Sequence, residues 1–103
     1  MKDNYKSIIY KLNNKQNFTG NSSTGSNDNN TYYVKSYNTT ILKINQDTIY
    51  FNNEFFSNTT SKLQSMILNN IWIKGLYLID VLKVFVKLNK SGKLDRCIYT
   101  LTY

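Results

Sequence analysis

The chain has 103 residues, with 13 Lys or Arg, 6 Asp or Glu, no histidine and one cysteine. This length predicts a single domain, residues 1–103, with one modest hydrophobic core. The net charge of +7 favours anionic partners, although an AT-rich genome encodes the same excess of Lys, Asn, Ile and Tyr. Cys97 is the single cysteine, so the chain cannot form an intramolecular disulfide. This pattern indicates a reducing compartment, or a protein whose folding does not depend on the redox state of its compartment.

No segment has the pattern of a signal peptide or a transmembrane helix. Residues 1–12 lack the continuous apolar stretch of a signal peptide. The longest apolar-rich segment, residues 71–88, is interrupted by four charged side chains, and a membrane span of ~20 residues tolerates few charges. The sequence therefore predicts a soluble, intracellular protein that does not contact a membrane.

The N-terminal third predicts a short helix followed by a loop. Apolar side chains in residues 5–12 repeat at i, i+3, i+4 and i+7, the spacing of one helical face. The alternation of Ile8, Tyr10 and Leu12 would instead fit a strand, and the helix is the preferred interpretation. Residues 13–31 are rich in Asn, Ser, Thr and Gly. This composition buries too little surface to offset the entropy of ordering, so it predicts a flexible loop over residues 13–31.

The centre of the chain predicts strands joined by short turns. Residues 32–37 are rich in β-forming side chains and predict a strand. Residues 39–44 and 48–51 predict a β-hairpin, because Asn45, Gln46 and Asp47 between them supply turn chemistry. This hairpin is the first of two that the sequence predicts.

A capped helix follows the first hairpin. The possible N-caps are Ser57, Asn58, Thr59, Thr60 and Ser61. Ser61 and Gln64 also have the spacing of a capping box, in which each side chain meets the backbone N–H of the other residue. Apolar side chains then repeat at helical spacing. These features predict the main helix at about residues 60–74, with Gly75 as its stop.

After the main helix the apolar residues alternate. Residues 82–88 carry apolar side chains on one face and basic or aromatic ones on the other, which predicts a strand. Residues 89–93 supply a loop containing Gly, and residues 94–103 the partner strand of a second hairpin. Residues 76–80 fit either an extension of the strand or a helical turn. The predicted fold is therefore α+β, a small antiparallel sheet of two hairpins packed against one main helix, with a short N-terminal helix.

Residues that catalysis requires are scarce and scattered. Acid–base catalysis and metal-assisted hydrolysis need clustered carboxylates or histidines, but the six acidic residues are far apart in the sequence and histidine is absent. A zinc site would lack its ligands. The Ser and Thr residues have no base other than Lys, and no glycine-rich phosphate loop of the required spacing occurs. The sequence predicts a protein that is not an enzyme and that holds no metal or other cofactor.

The predicted second hairpin carries the densest positive charge. Lysines with interleaved aromatic residues suit single-stranded nucleic acid, because cations meet phosphates and rings stack on bases. The predicted nucleic-acid-binding residues are Lys83, Phe85, Lys87, Lys90, Lys93 and Arg96. The alternative is that the lysines protect an edge strand against aggregation while Phe85 covers a small second core.

A motif runs through the first hairpin and the start of the main helix. It consists of Ser36-Tyr37-Asn38-Thr39, then Asp47 and Tyr50, then Ser57, Thr59-Thr60-Ser61-Lys62 and Gln64. The pattern covers about a third of the chain and resembles a family of short bacteriophage and mobile-element proteins. The resemblance implies an accessory protein of a phage or a Gram-positive mobile element. Proteins of this kind without active sites include inhibitors of host defence, anti-CRISPR proteins among them.

The resemblance implies a direct inhibitor of a host defence nuclease, such as a Cas effector, in the bacterial cytoplasm. Many such inhibitors are acidic DNA mimics, whereas this chain is basic, so it would dock on an acidic protein surface or bind the guide or target nucleic acid. The predicted partner-binding residues are Tyr32, Tyr33, Tyr37, Phe55 and Phe56, because aromatic side chains dominate interface energetics. Alternatively, these aromatic side chains only pack against the sheet and bind no partner. The alternative function is a basic nucleic-acid-binding accessory protein that uses the 83–96 hairpin.

Overall fold

The structure, a computed structural model, describes residues 2–102. Its helices are α1 (Tyr5–Asn13), α2 (Asn58–Asn70) and α3 (Leu78–Phe85). Its strands are β1 (Phe18–Thr19), β2 (Ser23–Asp28), β3 (Thr31–Ser36), β4 (Thr39–Asn45), β5 (Thr48–Asn52), β6 (Trp72–Ile73), β7 (Leu76–Tyr77) and β8 (Ile98–Thr102). The predicted α+β class is confirmed, including the antiparallel sheet, the main helix and the short N-terminal helix.

Six strands form one antiparallel sheet in the order β1-β2-β3-β4-β5-β8, and β6 and β7 form a separate small hairpin. Buried side chains from the helices and from one face of the large sheet form the core; they include Leu12, Ile67, Leu82, Val34 and Phe51. The other face, called the open face below, includes Thr24, Ser26, Asp28, Tyr33, Lys35, Lys43, Tyr50 and Thr100. The sheet therefore has one packed side and one accessible side.

Asp3 joins the start of α1 to the edge of the large sheet. Its carboxylate accepts hydrogen bonds from Lys11 Nζ at 2.7 Å, Ser7 Oγ at 2.8 Å and the Thr19 N–H at 3.0 Å. The bond from Lys11 is the largest cause that lowers the pKa of Asp3 to about 2, and the other two bonds act in the same direction. Asn4 caps the helix, because its Oδ1 accepts the N–H of Ser7 at 2.9 Å.

The prediction of a loop over residues 13–31 is wrong for the residues of β1 and β2. β2 pairs with β3 over six residue pairs, from Ser23 opposite Ser36 to Asp28 opposite Thr31. The β3 backbone supplies hydrogen bonds to β2, so a strand of polar residues forms here without an apolar pattern of its own. Tertiary pairing overrides composition in this segment.

The first predicted hairpin is confirmed as β4 and β5, joined at Gln46 and Asp47. Gln46 has a φ of 52°, the left-handed conformation that closes the tight turn. The register between β3 and β4 shifts after Val34, which faces Leu42, and this leaves Ile41 as an extra residue in β4. Both Ile41 and Leu42 are buried as a result.

The main helix begins and ends earlier than predicted. Ser57 is its N-cap, with its Oγ accepting the N–H of Thr60 at 3.2 Å. The predicted capping box of Ser61 and Gln64 is therefore wrong, since both residues lie inside the helix. Gly75 is not the stop either; it occupies the turn between β6 and β7 with a φ of 87°, a conformation that glycine adopts without steric cost.

The predicted strand over residues 82–88 is wrong, because residues 78–85 form α3. Leu78, Val81 and Leu82 have the i, i+3, i+4 spacing of a helical face, and all three are buried. An alternating strand would bury Val84 with Leu82, but Val84 is 73% exposed. In so short a segment, the alternation of a strand and the repeat of a helix, about 3.6 residues, fit several of the same apolar positions. Packing against the core favours the helix.

The C-terminal strand has a different partner from the one predicted. Residues 94–103 do not pair with residues 82–88; β8 pairs with β5 from Asn52 opposite Ile98 to Thr48 opposite Thr102. The second predicted hairpin is therefore absent, although residues 89–93 do contain the predicted turn. Within residues 2–102, no helix has both the length and the apolar composition needed to cross a membrane.

Candidate anion-binding site

A cavity of about 340 Å³ lies between α2, α3 and residues 92–96. Its charged lining residues are Lys83, Lys93 and Arg96, and it includes no Asp or Glu. The amide side chains of Asn53 and Gln64 also line it. We call these five residues the basic cavity. Three cations around one concavity, without a carboxylate among the lining residues, create a positive potential that attracts anions.

Arg96 is held in place by neutral acceptors. Its Nη1 donates to Gln64 Oε1 at 3.1 Å, to the Asn53 carbonyl oxygen at 3.3 Å and to Asn53 Oδ1 at 3.5 Å. In the part of the chain that the structure describes, no carboxylate lies within 4.0 Å of its guanidinium nitrogens. The guanidinium is therefore positioned without being neutralised, and its planar array of N–H donors matches carboxylate and phosphate geometry.

Gln64 organises the acceptors behind Arg96. It is 1% exposed, and its Nε2 donates to the carbonyl oxygens of Asn52 and Glu54, both at 2.9 Å. Asn53 is fixed in turn, because its Nδ2 donates to the carbonyl oxygen of Asp95 at 2.9 Å. These bonds join the end of β5, the helix α2 and the segment before β8. The position of Arg96 is thus determined by three parts of the fold.

The two lysines reach the cavity from α3 and from a turn. Lys83 lies in the last turn of α3 and is exposed. Lys93 follows a turn in which Asn89 Oδ1 accepts the N–H groups of Ser91 and Lys93, each at 3.0 Å. Gly92 has a φ of 73°, which this turn requires. Among residues 2–102, neither lysine has a carboxylate oxygen within 4.0 Å of its ammonium nitrogen.

An aromatic ring borders the basic cavity. The Arg96 guanidinium carbon lies 5.9 Å from the centroid of the Phe55 ring, within the range of a cation–π contact. Phe55 is 61% exposed, so a large part of its surface is open to a ligand. A cationic fork and an accessible ring therefore lie side by side. Such an arrangement can contact both a phosphate and a base.

The structure divides the predicted nucleic-acid-binding residues into two groups. Lys83, Lys93 and Arg96 converge on the basic cavity, whereas Lys87 and Lys90 are exposed outside its lining. Phe85 was predicted to share a face with the lysines. On α3 it lies about 200° around the helix from Lys83, so that shared face is wrong.

One of the predicted partner-binding residues is a core residue. Tyr32 is 1% exposed and its hydroxyl donates to the carbonyl oxygen of Gln16 at 2.8 Å, so its prediction as an interface anchor is wrong. Burial also raises the pKa of the Tyr32 hydroxyl above its ordinary value. Tyr33 is half-buried on the open face, and the exposed ones are Tyr37, Phe55 and Phe56.

The sequence reasoning missed the amides of the basic cavity. Gln64 lies among the buried apolar residues Leu63, Ile67 and Leu68 of α2, and a polar residue at such a position signals a buried hydrogen-bond network. Because Gln64 also fits a capping box with Ser61, it was interpreted as a residue of the helix start instead. The sequence around Asn53 indicated only that a strand ends there. Its role in the cavity depends on Asp95 and Arg96, which are distant in the sequence.

Another cavity, of about 570 Å³, runs along α2 and is lined by Tyr5, Lys62 and several Asn and Ser residues. Lys62 is its one charged lining residue. It is larger than the basic cavity but lacks converging charges, so it defines no ligand chemistry. No group of three or more His, Cys, Asp or Glu residues in the described part of the chain could hold a metal ion.

The fold and the basic cavity define a small α+β protein with a preformed cationic site. The chain belongs to the DUF8033 family, a family of unknown function, which it matches over residues 6–74. The matched region spans β1 to β6 and contains Asn53 and Gln64, whereas Lys83, Lys93 and Arg96 lie beyond it. No curated protein and no solved structure matches the chain.

Proposed function

We propose that this protein is a non-catalytic accessory protein that binds single-stranded nucleic acid at the basic cavity. The observation that carries the proposal is the convergence of Lys83, Lys93 and Arg96 on one cavity without a lining carboxylate. Phosphates supply the negative charge that these cations attract, and the exposed ring of Phe55 offers a stacking surface for a base. A duplex would not present an unstacked base to this ring, so the proposal is specific for single strands.

Removing two of the cavity cations should make nucleic-acid binding weaker and less dependent on salt. For the double variant Lys83→Gln, Lys93→Gln, the slope of log affinity against log salt should decrease in magnitude by about 1.4, since each lost phosphate contact with a single strand accounts for about 0.7. Fluorescence anisotropy of labelled DNA and RNA oligonucleotides at several salt concentrations measures this slope.

The matched control is Lys2→Gln, Lys6→Gln, which removes the same charge from exposed N-terminal positions outside the cavity. It should change the slope much less than the cavity variant. Equal slopes for the two double variants would show that net charge, and not the basic cavity, governs binding. A wild-type protein that binds neither DNA nor RNA single strands at low salt would refute the function altogether.

Inhibition of a host defence nuclease is the second proposed function. It is supported by the exposed aromatic side chains Tyr37, Phe55 and Phe56, which lie at one end of the sheet. The turn before β4 and the connection after β5 meet there, since Asn52 Nδ2 donates to the carbonyl oxygen of Thr40 at 3.4 Å. Exposed aromatic residues are typical anchors of protein interfaces. The proposed setting is the cytoplasm of a bacterial host.

The inhibitor proposal predicts that the protein stops target cleavage by a purified Cas nuclease and co-elutes with it. Tyr37→Ala and Phe56→Ala should each weaken inhibition by about 30-fold, on the order of 2 kcal/mol per anchor lost, and the double variant by up to about 1,000-fold. Tyr10→Ala, which removes another exposed ring on α1, is the control and should leave inhibition unchanged. Undiminished cleavage by a panel of effectors, with no co-elution, would exclude this function.

A further inference from the structure

One row of side chains crosses the open face of the sheet from strand to strand. The strand register places Ser26 opposite Tyr33, Tyr33 opposite Lys43, Lys43 opposite Tyr50 and Tyr50 opposite Thr100. The five residues come from β2, β3, β4, β5 and β8, which are consecutive in the sheet. Two tyrosines therefore flank a lysine, with a hydroxyl residue at each end of the row.

The row points away from the core. Tyr32, Val34, Ile44 and other neighbours of the row in the strands are buried in the core, so alternation directs Tyr33, Lys43 and Tyr50 to the opposite side. Lys43 is exposed, and both tyrosines are half-buried. The Lys43 ammonium lies 5.5 Å from the centroid of the Tyr50 ring. Each ring thus lies against the sheet and leaves part of its surface accessible.

The spacing and charge of the row fit an extended polyanion with planar groups. Adjacent strands lie about 4.8 Å apart, so Tyr33 and Tyr50, two strands apart, are separated by about 10 Å with Lys43 between them. Lys35, two residues after Tyr33, adds a second exposed cation to the same face. In residues 2–102 neither lysine has a carboxylate oxygen within 4.0 Å of its ammonium nitrogen. Two carboxylates lie outside the row: Asp28 at the end of β2 on the same face, and Asp47 in the turn after β4.

We propose that the open face is a second contact surface for single-stranded nucleic acid, on which bases stack on Tyr33 and Tyr50 while Lys43 and Lys35 contact phosphates. This inference rests on the proposed nucleic-acid-binding function and extends it to the side of the sheet away from the basic cavity. Charge selects this occupant over a second copy of the chain, because two such faces would bring lysines of one copy against lysines of the other.

Removing the two rings should weaken oligonucleotide binding without changing its salt dependence. Tyr33→Thr with Tyr50→Thr keeps strand propensity and removes the stacking surfaces. We expect a loss of affinity of about 5- to 150-fold per ring. Tyr33→Phe with Tyr50→Phe keeps both rings and should bind within about twofold of the wild type. Anisotropy with the same single-stranded oligonucleotides gives affinity and salt slope for each variant.

Nitration of the wild-type protein provides a measurement that does not depend on a variant folding. A bound oligonucleotide should protect Tyr33 and Tyr50 from modification by tetranitromethane, while Tyr5 and Tyr10, exposed on α1, should react as in the free protein. Mass spectrometry of the peptides quantifies each site. Unchanged modification of Tyr33 and Tyr50 at saturating oligonucleotide would overturn the inference.

The outcomes separate this inference from the proposed function. The threonine variant is Tyr33→Thr with Tyr50→Thr. If Lys83→Gln with Lys93→Gln weakens binding and the threonine variant does not, the basic cavity is the site and the open face is refuted. Binding that is weakened by the threonine variant but unaffected by the cavity variant supports the open face and refutes the cavity. No binding of single strands by the wild type refutes both.

Discussion

Replacing Gln64 with Leu is expected to destabilise the protein by about 3–5 kcal/mol. The two side chains have similar volumes, so the change mainly removes three hydrogen bonds, two donated to the carbonyl oxygens of Asn52 and Glu54 and one accepted from Arg96. A buried polar group without its partner costs about 1–3 kcal/mol. The midpoint of thermal unfolding should fall by about 12 °C or more, which circular dichroism can measure.

The same variant should disturb the basic cavity, because Arg96 loses the acceptor nearest to its Nη1. At a temperature where the variant is folded, oligonucleotide binding should therefore be weaker than in the wild type. Lys62→Leu introduces the same side chain at an exposed position of α2 and should change stability by about 0.5 kcal/mol or less. An unfolding midpoint for Gln64→Leu within a few degrees of the wild type would contradict the proposed hydrogen-bond network.

Replacing Gly25 with Ala is expected to destabilise the protein by about 3 kcal/mol, although alanine adds one methyl group. A Cβ at this position would meet the ring of Phe18 well inside contact distance and would lie 2.6 Å from Tyr32 Oη. Both rings are buried, so moving either one disturbs the packing around it. Overpacking of this kind typically costs 1–3 kcal/mol, and occasionally more. Denaturant unfolding measures the change.

A second substitution can identify the cause. Phe18→Leu makes room at the same place, so the combined variant Gly25→Ala, Phe18→Leu should be less destabilised than the sum of the two single changes. Ser26→Ala, an exposed position in the same strand, is the control and should cost about 1 kcal/mol or less. If the destabilisation of the double variant equals the sum of those of the two single variants, Phe18 is not the residue that excludes a side chain at Gly25.

Gly25 also shows why β1 and β2 were not predictable. The segment around it lacks the apolar alternation from which strands are recognised, and its glycine suggested a loop. In the structure that glycine provides the space for Phe18 to pack against β2. Ile41 is a related case, because alternation places it on the face opposite Leu42, whereas the bulge in β4 buries both residues. Neither feature has a local pattern in the sequence.

The candidate sites were only partly predictable for the same reason. The sequence indicated Lys83, Lys93 and Arg96 as cations, but it grouped them with Phe85 on a hairpin that does not exist. Their convergence depends on α3 and on the turn at residues 89–93, and hence on contacts with α2. The row on the open face depends on the register of five strands, which only the pairing of the whole sheet determines.

The sequence by itself determined the composition-level properties and the local elements. Its charge, its lack of histidine and its single cysteine are facts of the chain. The patterns for β3, the β4–β5 hairpin and α2 are strong because local backbone preferences and apolar periodicity agree there, whereas the pattern for α1 also fits a strand. Only the tertiary structure decided β1, β2, α3 and the partner of β8. These segments are short or polar, their local preferences differ by little, and contacts with distant residues supply the free energy that selects one conformation.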